Sequence, residues 1–186
     1  MQRRIVQAVV LACALTLISI GGEAQARSGT HCAYRLAPVS QSGHVIQARL
    51  VALGCFATFA EAVAAGTNGT VHLPASATPA SITDADVAQV DPLTNVLIGT
   101  EFTHTNYGGI SNDYFAPDAC NPNTYEVSYV GDTWNDTFAS GKGFGGCDHN
   151  KKYSASNFGG DVITCTPNCA DYTIVRNLVS ALRWKP

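Results

Sequence analysis

The residues of this 186-residue sequence best suited to chemistry are seven cysteines, five histidines and two short stretches rich in amides, carboxylates and hydroxyls. Loss of an N-terminal leader would take Cys13 and leave Cys32, Cys55, Cys120, Cys147, Cys165 and Cys169. Such an even set points to three disulfides in an oxidising compartment. Composition leaves the connectivity open, and proximity along the chain favours Cys32 with Cys55, Cys120 with Cys147, and Cys165 with Cys169. Zinc is the rival use of these side chains. It is disfavoured because no Cys-x-x-Cys pair occurs and His31, His44, His72, His104 and His149 are scattered without ligand spacing. Hydrolysis would need a nucleophile, a base and an orienting group. His104, His149, Asp113, Asp148 and neighbouring serines supply the types, but no G-x-S-x-G, HExxH or SxxK pattern surrounds them, so no enzyme activity is expected.

The elements that must position such residues are announced by a repeat. Phe102 to Gly109 is an aromatic, three variable residues, Asn, a second aromatic and two glycines, and the same pattern returns 51 residues later at Tyr153 to Gly160. The glycines permit positive φ in a tightly folded hairpin, and the paired aromatics can close over it. A fainter repeat follows each copy, Trp134 to Ser140 and then Val175 to Ala181. Between these marks the chain reads as short strands punctuated by Gly, Pro, Asn and Asp: Val96 to Phe102, Ser111 to Phe115, Thr124 to Val130 and Phe138 to Phe144, then Lys151 to Tyr153, Val162 to Cys165, Asp171 to Val175 and Val179 to Trp184. Four strands per repeat, opened by a hairpin, predict two Greek keys and a two-sheet sandwich over residues 93–186.

Upstream, Arg3 and Arg4, the apolar run Ile5 to Ile20 and Ala24-Gln25-Ala26 read as a signal peptide over residues 1–26. The run is shorter than the ~20 residues of a spanning helix, so a secreted protein, free of the membrane after cleavage, is expected. Residues 27–73 read as a small β-β-α-β unit stapled by Cys32 and Cys55. It comprises strands at Cys32 to Leu36 and His44 to Leu53, a helix opened by the Thr58/Glu61 capping box and ended at Gly66, and a closing strand at Thr70 to Leu73. Residues 74–92, rich in Ala, Ser, Thr, Pro and Asp, read as a linker with a short helix capped by Ser81. A protease-sensitive junction there would make the front unit a propeptide. The fold class is therefore mainly β, with a small α+β unit in front of the sandwich. Hydrophobic residues make up 46% of the chain, charged residues 13%, and the net charge is -3, which supplies a core but no basic surface for nucleic acid.

The spacing Phe102, Tyr107, Gly109 and Tyr153, Phe158, Gly160 resembles the βγ-crystallin superfamily over roughly Leu93 to Trp184. Microbial members of that family bind Ca²⁺ through a six-residue pattern of two Asn/Asp, two variable positions, Ser/Thr and Ser. The resemblance lays that pattern over Asn135 to Ser140, which has Ala139 at the fifth position, and over Arg176 to Ala181, which lacks the first acid or amide and the last Ser. Sites in the family are built across the pair. The resemblance thus implies one Ca²⁺ site from Asn135, Asp136, the Thr137 carbonyl and Ser180, with a hairpin carbonyl near Thr103. The reciprocal site, where Asn177 faces Ala139 beside Arg176, should be poor for a hard cation that wants about 6 to 8 oxygens.

Two roles follow as expectations. One is a structural or stress-related extracellular module, rigidified by disulfides and Ca²⁺. The other is inhibition of a secreted protease, since small bacterial metalloproteinase inhibitors share a crystallin-like sandwich. Thr166, Pro167 and Asn168, clamped between Cys165 and Cys169, are then the binding loop, with Asn121 to Asn123 beside Cys120 as a second candidate.

Overall fold

The computed structural model describes residues 30–88 and 93–186. The leader at 1–26, the start of the front unit and residues 89–92 lie outside these described residues.

Each repeat opens with the predicted hairpin. In the first, β3 (Val96–His104) turns into β4 (Gly108–Ala116), and β5 (Thr124–Val127) and β6 (Ser140–Gly143) follow. In the second, β7 (His149–Ala155) turns into β8 (Gly159–Cys165), and β9 (Ala181–Lys185) ends the chain. β3 lies between β4 and β6, β7 between β8 and β9, and β5 crosses over to pair with β9 of the other repeat. The matching crossover from the second repeat is the bridge between Gly141 and Cys169. The strand predicted at Asp171 to Val175 is instead a 3-10 turn at Thr173–Val175. Asp171 Oδ1 accepts the Thr173 N–H, a local bond that competes with a ladder.

The front unit does more than precede the sandwich. Its hairpin, β1 (His31–Ser42) and β2 (Val45–Phe56), pairs in parallel with β4 through β1 and with β5 through β2. The two sheets are thereby stitched into one order, β6-β3-β4-β1-β2-β5-β9-β7-β8. The alternation Ile46, Ala48, Leu50 puts one face of β2 against the core, as its period of two requires. Helix α1 (Phe59–Gly66) carries the expected Thr58/Glu61 capping box. A Cβ on Gly66 would come within 2.3 Å of the Phe115 ring, so glycine is required here by close packing on β4. The closing strand predicted at Thr70 to Leu73 does not form. The Thr67 hydroxyl takes the Val71 N–H and the Thr70 hydroxyl returns to the Thr67 carbonyl, which consumes these groups locally.

The described residues form two cores. Leu36, Ile46, Ile98, Tyr114, Tyr125, Phe138, Tyr172, Leu182 and Trp184 fill the sandwich. Ala33, Phe59, Val63, Leu97, Phe115 and Phe144 form a second cluster under α1, closed by Ile82 and Val87 from the segment expected to be a loose linker. That segment is a strap: Lys142 Nζ donates to the Pro79 carbonyl at 2.7 Å, and Asp84 Oδ1 accepts the Gly145 N–H. Its short helix is a 3-10 turn at Asp84–Val87 preceded by Thr83, with Ser81 bonded to Thr78 instead. β3 and β4 are consequently covered on both faces, which is why they read as near-continuous buried runs. The disulfides join Cys32 to Cys55, Cys120 to Cys147 and Cys165 to Cys169. No helix among the described residues is long and apolar enough to cross a membrane.

Candidate functional site

The two folded hairpins match position by position. Asn106, Tyr107 and Gly109 have φ of 56°, 62° and 81°, and Asn157, Phe158 and Gly160 have 54°, 63° and 73°. Left-handed backbone at an aromatic is costly and persists only where packing fixes it. Tyr107 meets Phe102 edge-on at 5.7 Å, and Phe158 meets Tyr153 edge-on at 5.5 Å. The Thr103 hydroxyl accepts the Ile110 N–H, and the Ser154 hydroxyl accepts that of Asp161. Lys142 and Arg183 lie over Tyr107 and Phe158 respectively. Each hairpin also reaches the other repeat, Asn106 N–H to the Ala170 carbonyl and Asn157 N–H to that of Ser128.

The loops of the fainter repeat meet in the same reciprocal way. Asp136 and Asn177 are both left-handed, and Asp136 donates its N–H to the Val179 carbonyl while Asn177 donates to that of Phe138. Asn135, Asp136, Thr137 and Ser180 are therefore carried on loops in contact. Asn135 Nδ2 donates to Asp136 Oδ2, while Asn135 Oδ1 is buried and has no hydrogen-bond partner. Thr137 turns its hydroxyl to the Trp134 carbonyl, and Ser180 donates to the Ser154 carbonyl at 3.2 Å.

Thr103 departs from the predicted set. It lines an open hollow with His104, Thr105, Ala139, Arg176 and Asn177, on the reciprocal side. The last strand of each repeat pairs with that repeat's own hairpin, so the hairpin carbonyl beside Ser180 comes from Ser154. The 51-residue offset that relates Thr103 to Ser154 contains this signal. Among the described residues no group of three or more His, Cys, Asp or Glu is placed to hold a metal, so any cation site here is made of amide, carbonyl and hydroxyl oxygens around Asp136.

The loop Thr166 to Asn168 is braced from inside. Gly143 donates its N–H to Asn168 Oδ1, and Asn150 Nδ2 donates to the Pro167 carbonyl.

Two buried polar groups are brought together only by the fold. Glu101 and Lys152, 51 residues apart and so equivalent in the two repeats, form an ion pair in the sandwich, and Tyr172 donates its hydroxyl to the same carboxylate. Burial pushes Glu101 up and Lys152 down, against the mutual attraction of the pair. The second group is His31, Ser111 and Asp113. His31 Nδ1 lies 2.7 Å from the Ser111 hydroxyl, which donates to Asp113 Oδ2. Serine sits in the middle of this chain and is fully buried. A nucleophilic triad would instead put the imidazole between acid and serine, so this arrangement ties β1 to β4 without activating a nucleophile.

Burial pushes the Asp113 carboxyl up to about 7, opposed by the Thr100 and Ser111 hydroxyls. A carboxyl whose folded pKa stands above its unfolded value of 3.8 holds its proton more tightly when folded. Its contribution is full below that value and is lost as the pH rises to about 7; His31, lowered by burial, acts in the opposite sense. Asp113→Asn should remove the acid's part. Urea titrations should show the variant gaining on the native chain between about pH 4 and 7, by roughly 4 kcal/mol at most. An unchanged difference across that range would show that Asp113 does not titrate there.

No protein-family model and no curated protein matches the chain. Among solved structures it is similar to a betagamma-crystallin from an archaeon, with 24% identity over 47% of this chain and 96% of that one and a TM-score of 0.36. It is also similar to the N-terminal domain of Protein S, with 22% identity, 47% and 93% coverage and a TM-score of 0.36. A betagamma-crystallin domain from Clostridium beijerinckii gives 18% identity, 47% and 97% coverage and a TM-score of 0.36. Duplicated aromatic hairpins with left-handed Asn and aromatic residues, and two loops that exchange backbone hydrogen bonds across the pair, make residues 93–186 a βγ-crystallin-like double Greek key.

Proposed function

We propose that this is a secreted, non-enzymatic, disulfide-stapled module with a structural or stress-related role outside the cell, holding one Ca²⁺ ion where the loops 134–140 and 175–181 meet. The observation that carries the reading is the buried, unpartnered Asn135 Oδ1 next to the Asp136 carboxylate. A buried polar oxygen without a donor is costly, and a hard cation would satisfy it. Asn135, Asp136, the Thr137 carbonyl and Ser180 would hold the ion, with Ser154 in the position first given to Thr103. The ion would supply a charge that ties the two repeats together. Three disulfides suit an oxidising exterior.

Isothermal titration with Ca²⁺ should give one site per chain and a higher melting temperature. Asp136→Ala should weaken binding by at least about tenfold, the loss of one charged ligand contact of about 1.5–3 kcal/mol. No heat at millimolar Ca²⁺ would overturn the metal reading.

A second reading, inhibition of a secreted metalloproteinase, draws support from one feature. Thr166 and Asn168 are exposed, yet their loop is braced by a disulfide and two internal hydrogen bonds, and a loop held rigid in advance loses less freedom on binding a protease. Absence of inhibition by micromolar protein across a panel of secreted metalloproteinases would dismiss it.

A further inference from the structure

The reciprocal hollow is the pseudo-symmetric twin of the cation position, with its electrostatics inverted. Where the first loop has Asn135 and Asp136, the second has Arg176 and Asn177, so a carboxylate is lost and a guanidinium gained. Ala139 stands where the partner has Ser180, removing a hydroxyl oxygen, and His104 stands where the second hairpin has Ala155. The hollow measures about 380 Å³ and is lined by Thr103, His104, Thr105, Ala139, Arg176 and Asn177, none of them acidic. At its rim Asp171 Oδ1 lies 3.0 Å from Arg176 Nε and also accepts the Thr173 N–H. That contact fixes one edge of the guanidinium and leaves its other N–H donors for a ligand. Both partners are substantially exposed, at 47% and 39%, so the pair is screened and open to competition.

We infer that this hollow is an oxyanion site, taking a tetrahedral phosphate or sulfate group between Arg176, His104, Asn177 and the hydroxyls of Thr103 and Thr105. The chemistry fits each donor. A guanidinium offers paired N–H groups to phosphate oxygens, and hydroxyl, amide and imidazole N–H groups complete the shell. Two positions related by internal symmetry then bind ions of opposite sign, and the site stands independently of Ca²⁺ at its twin.

The test is a titration of the full disulfide-bonded chain with inorganic phosphate in EDTA, followed by amide resonances. Saturable shifts at Thr103, Thr105 and Asn177, with a dissociation constant of order millimolar, are expected. Arg176→Gln, an exposed change that leaves the core intact, should weaken binding about tenfold, the loss of one charge-assisted contact. A parallel titration with vesicles containing phosphatidic acid separates the sources, since tighter binding there would assign the phosphate to a lipid headgroup and equal or weaker binding to a free anion. Shifts that do not saturate, or that survive Arg176→Gln unchanged, would overturn the inference. If phosphate binds while Ca²⁺ does not, only the cation reading falls.

Discussion

Lys152→Met should cost the fold about 3–5 kcal/mol in urea unfolding, because it strands the Glu101 carboxylate at zero exposure. The penalty should grow with pH. Burial already pushes Glu101 above the usual carboxylate range, and without Lys152 the group would have to stay protonated, at a cost that rises as protons become scarce. Lys152 also sits 5.4 Å from the Trp184 ring and 5.8 Å from that of Tyr172, contacts that a thioether largely keeps. Combining Lys152→Met with Glu101→Gln removes both charges and leaves an amide for the Tyr172 hydroxyl. This double variant should recover most of the loss, since a neutral pair of similar volume is often as stable as a buried ion pair. A single-variant cost below about 1 kcal/mol would show that the pair is solvated.

The placement of these charges also bears on how the repeats choose each other. Their hairpins are nearly interchangeable, so apolar packing alone does not forbid two copies of one repeat from pairing. Glu101 and Lys152 occupy equivalent positions, and a like pairing would bury Glu against Glu or Lys against Lys. Opposite charges at one equivalent position therefore favour the first repeat on the second.

This pair shows why parts of the molecule were legible in the sequence and others were not. The hairpins could be read because left-handed backbone restricts residue type locally, so Asn106, Gly109, Asn157 and Gly160 mark the turn wherever the chain goes afterwards. The capping box at Thr58 and the three disulfides were local in the same sense. Glu101 and Lys152 flank a hairpin aromatic and look like ordinary strand charges, and only the assembled sandwich puts one opposite the other. The strap was misread for a related reason. Ile82 and Val87 are isolated among Ala, Ser and Asp, too sparse to make a period, yet each fills a gap under α1. Within the candidate site, Asn135, Asp136 and Ser180 follow from the repeat, whereas Thr103 does not belong with them, because the motif marks which loops meet and not which hairpin each last strand adjoins. The parallel pairing of β1 with β4 and of β2 with β5 left no mark at all, because alternation says that a strand has an inner face and not which neighbours flank it.

That pairing governs what cutting the strap should do. A protease site placed between Ala75 and Ser76, both exposed, should give a chain that runs as two fragments on a denaturing gel and as one particle by gel filtration. No disulfide crosses this cut, since Cys32 is bonded to Cys55 and the other bridges lie beyond residue 119. The fragments are held instead by backbone pairing of His31 to Arg35 with Ser111 to Phe115 and of Val45 to Gln47 with Thr124 to Glu126. Leu36 and Ile46 enter the sandwich core, and Phe59 and Val63 cover Leu97 and Phe115. Burial of four such side chains contributes about 1.5–3 kcal/mol each, comparable to the freedom that separation of the fragments would recover, and the two backbone ladders and the remaining contacts under α1 add to it. A removable propeptide predicts the reverse, a front fragment that leaves while residues 93–186 remain folded. Departure would uncover the edges of β4 and β5 and the apolar face of β3, so the sandwich left behind should aggregate rather than persist as a soluble monomer. Fragments that separate under native conditions and leave a monomeric, cooperatively unfolding sandwich would show that the hairpin is an accessory to this fold rather than part of it.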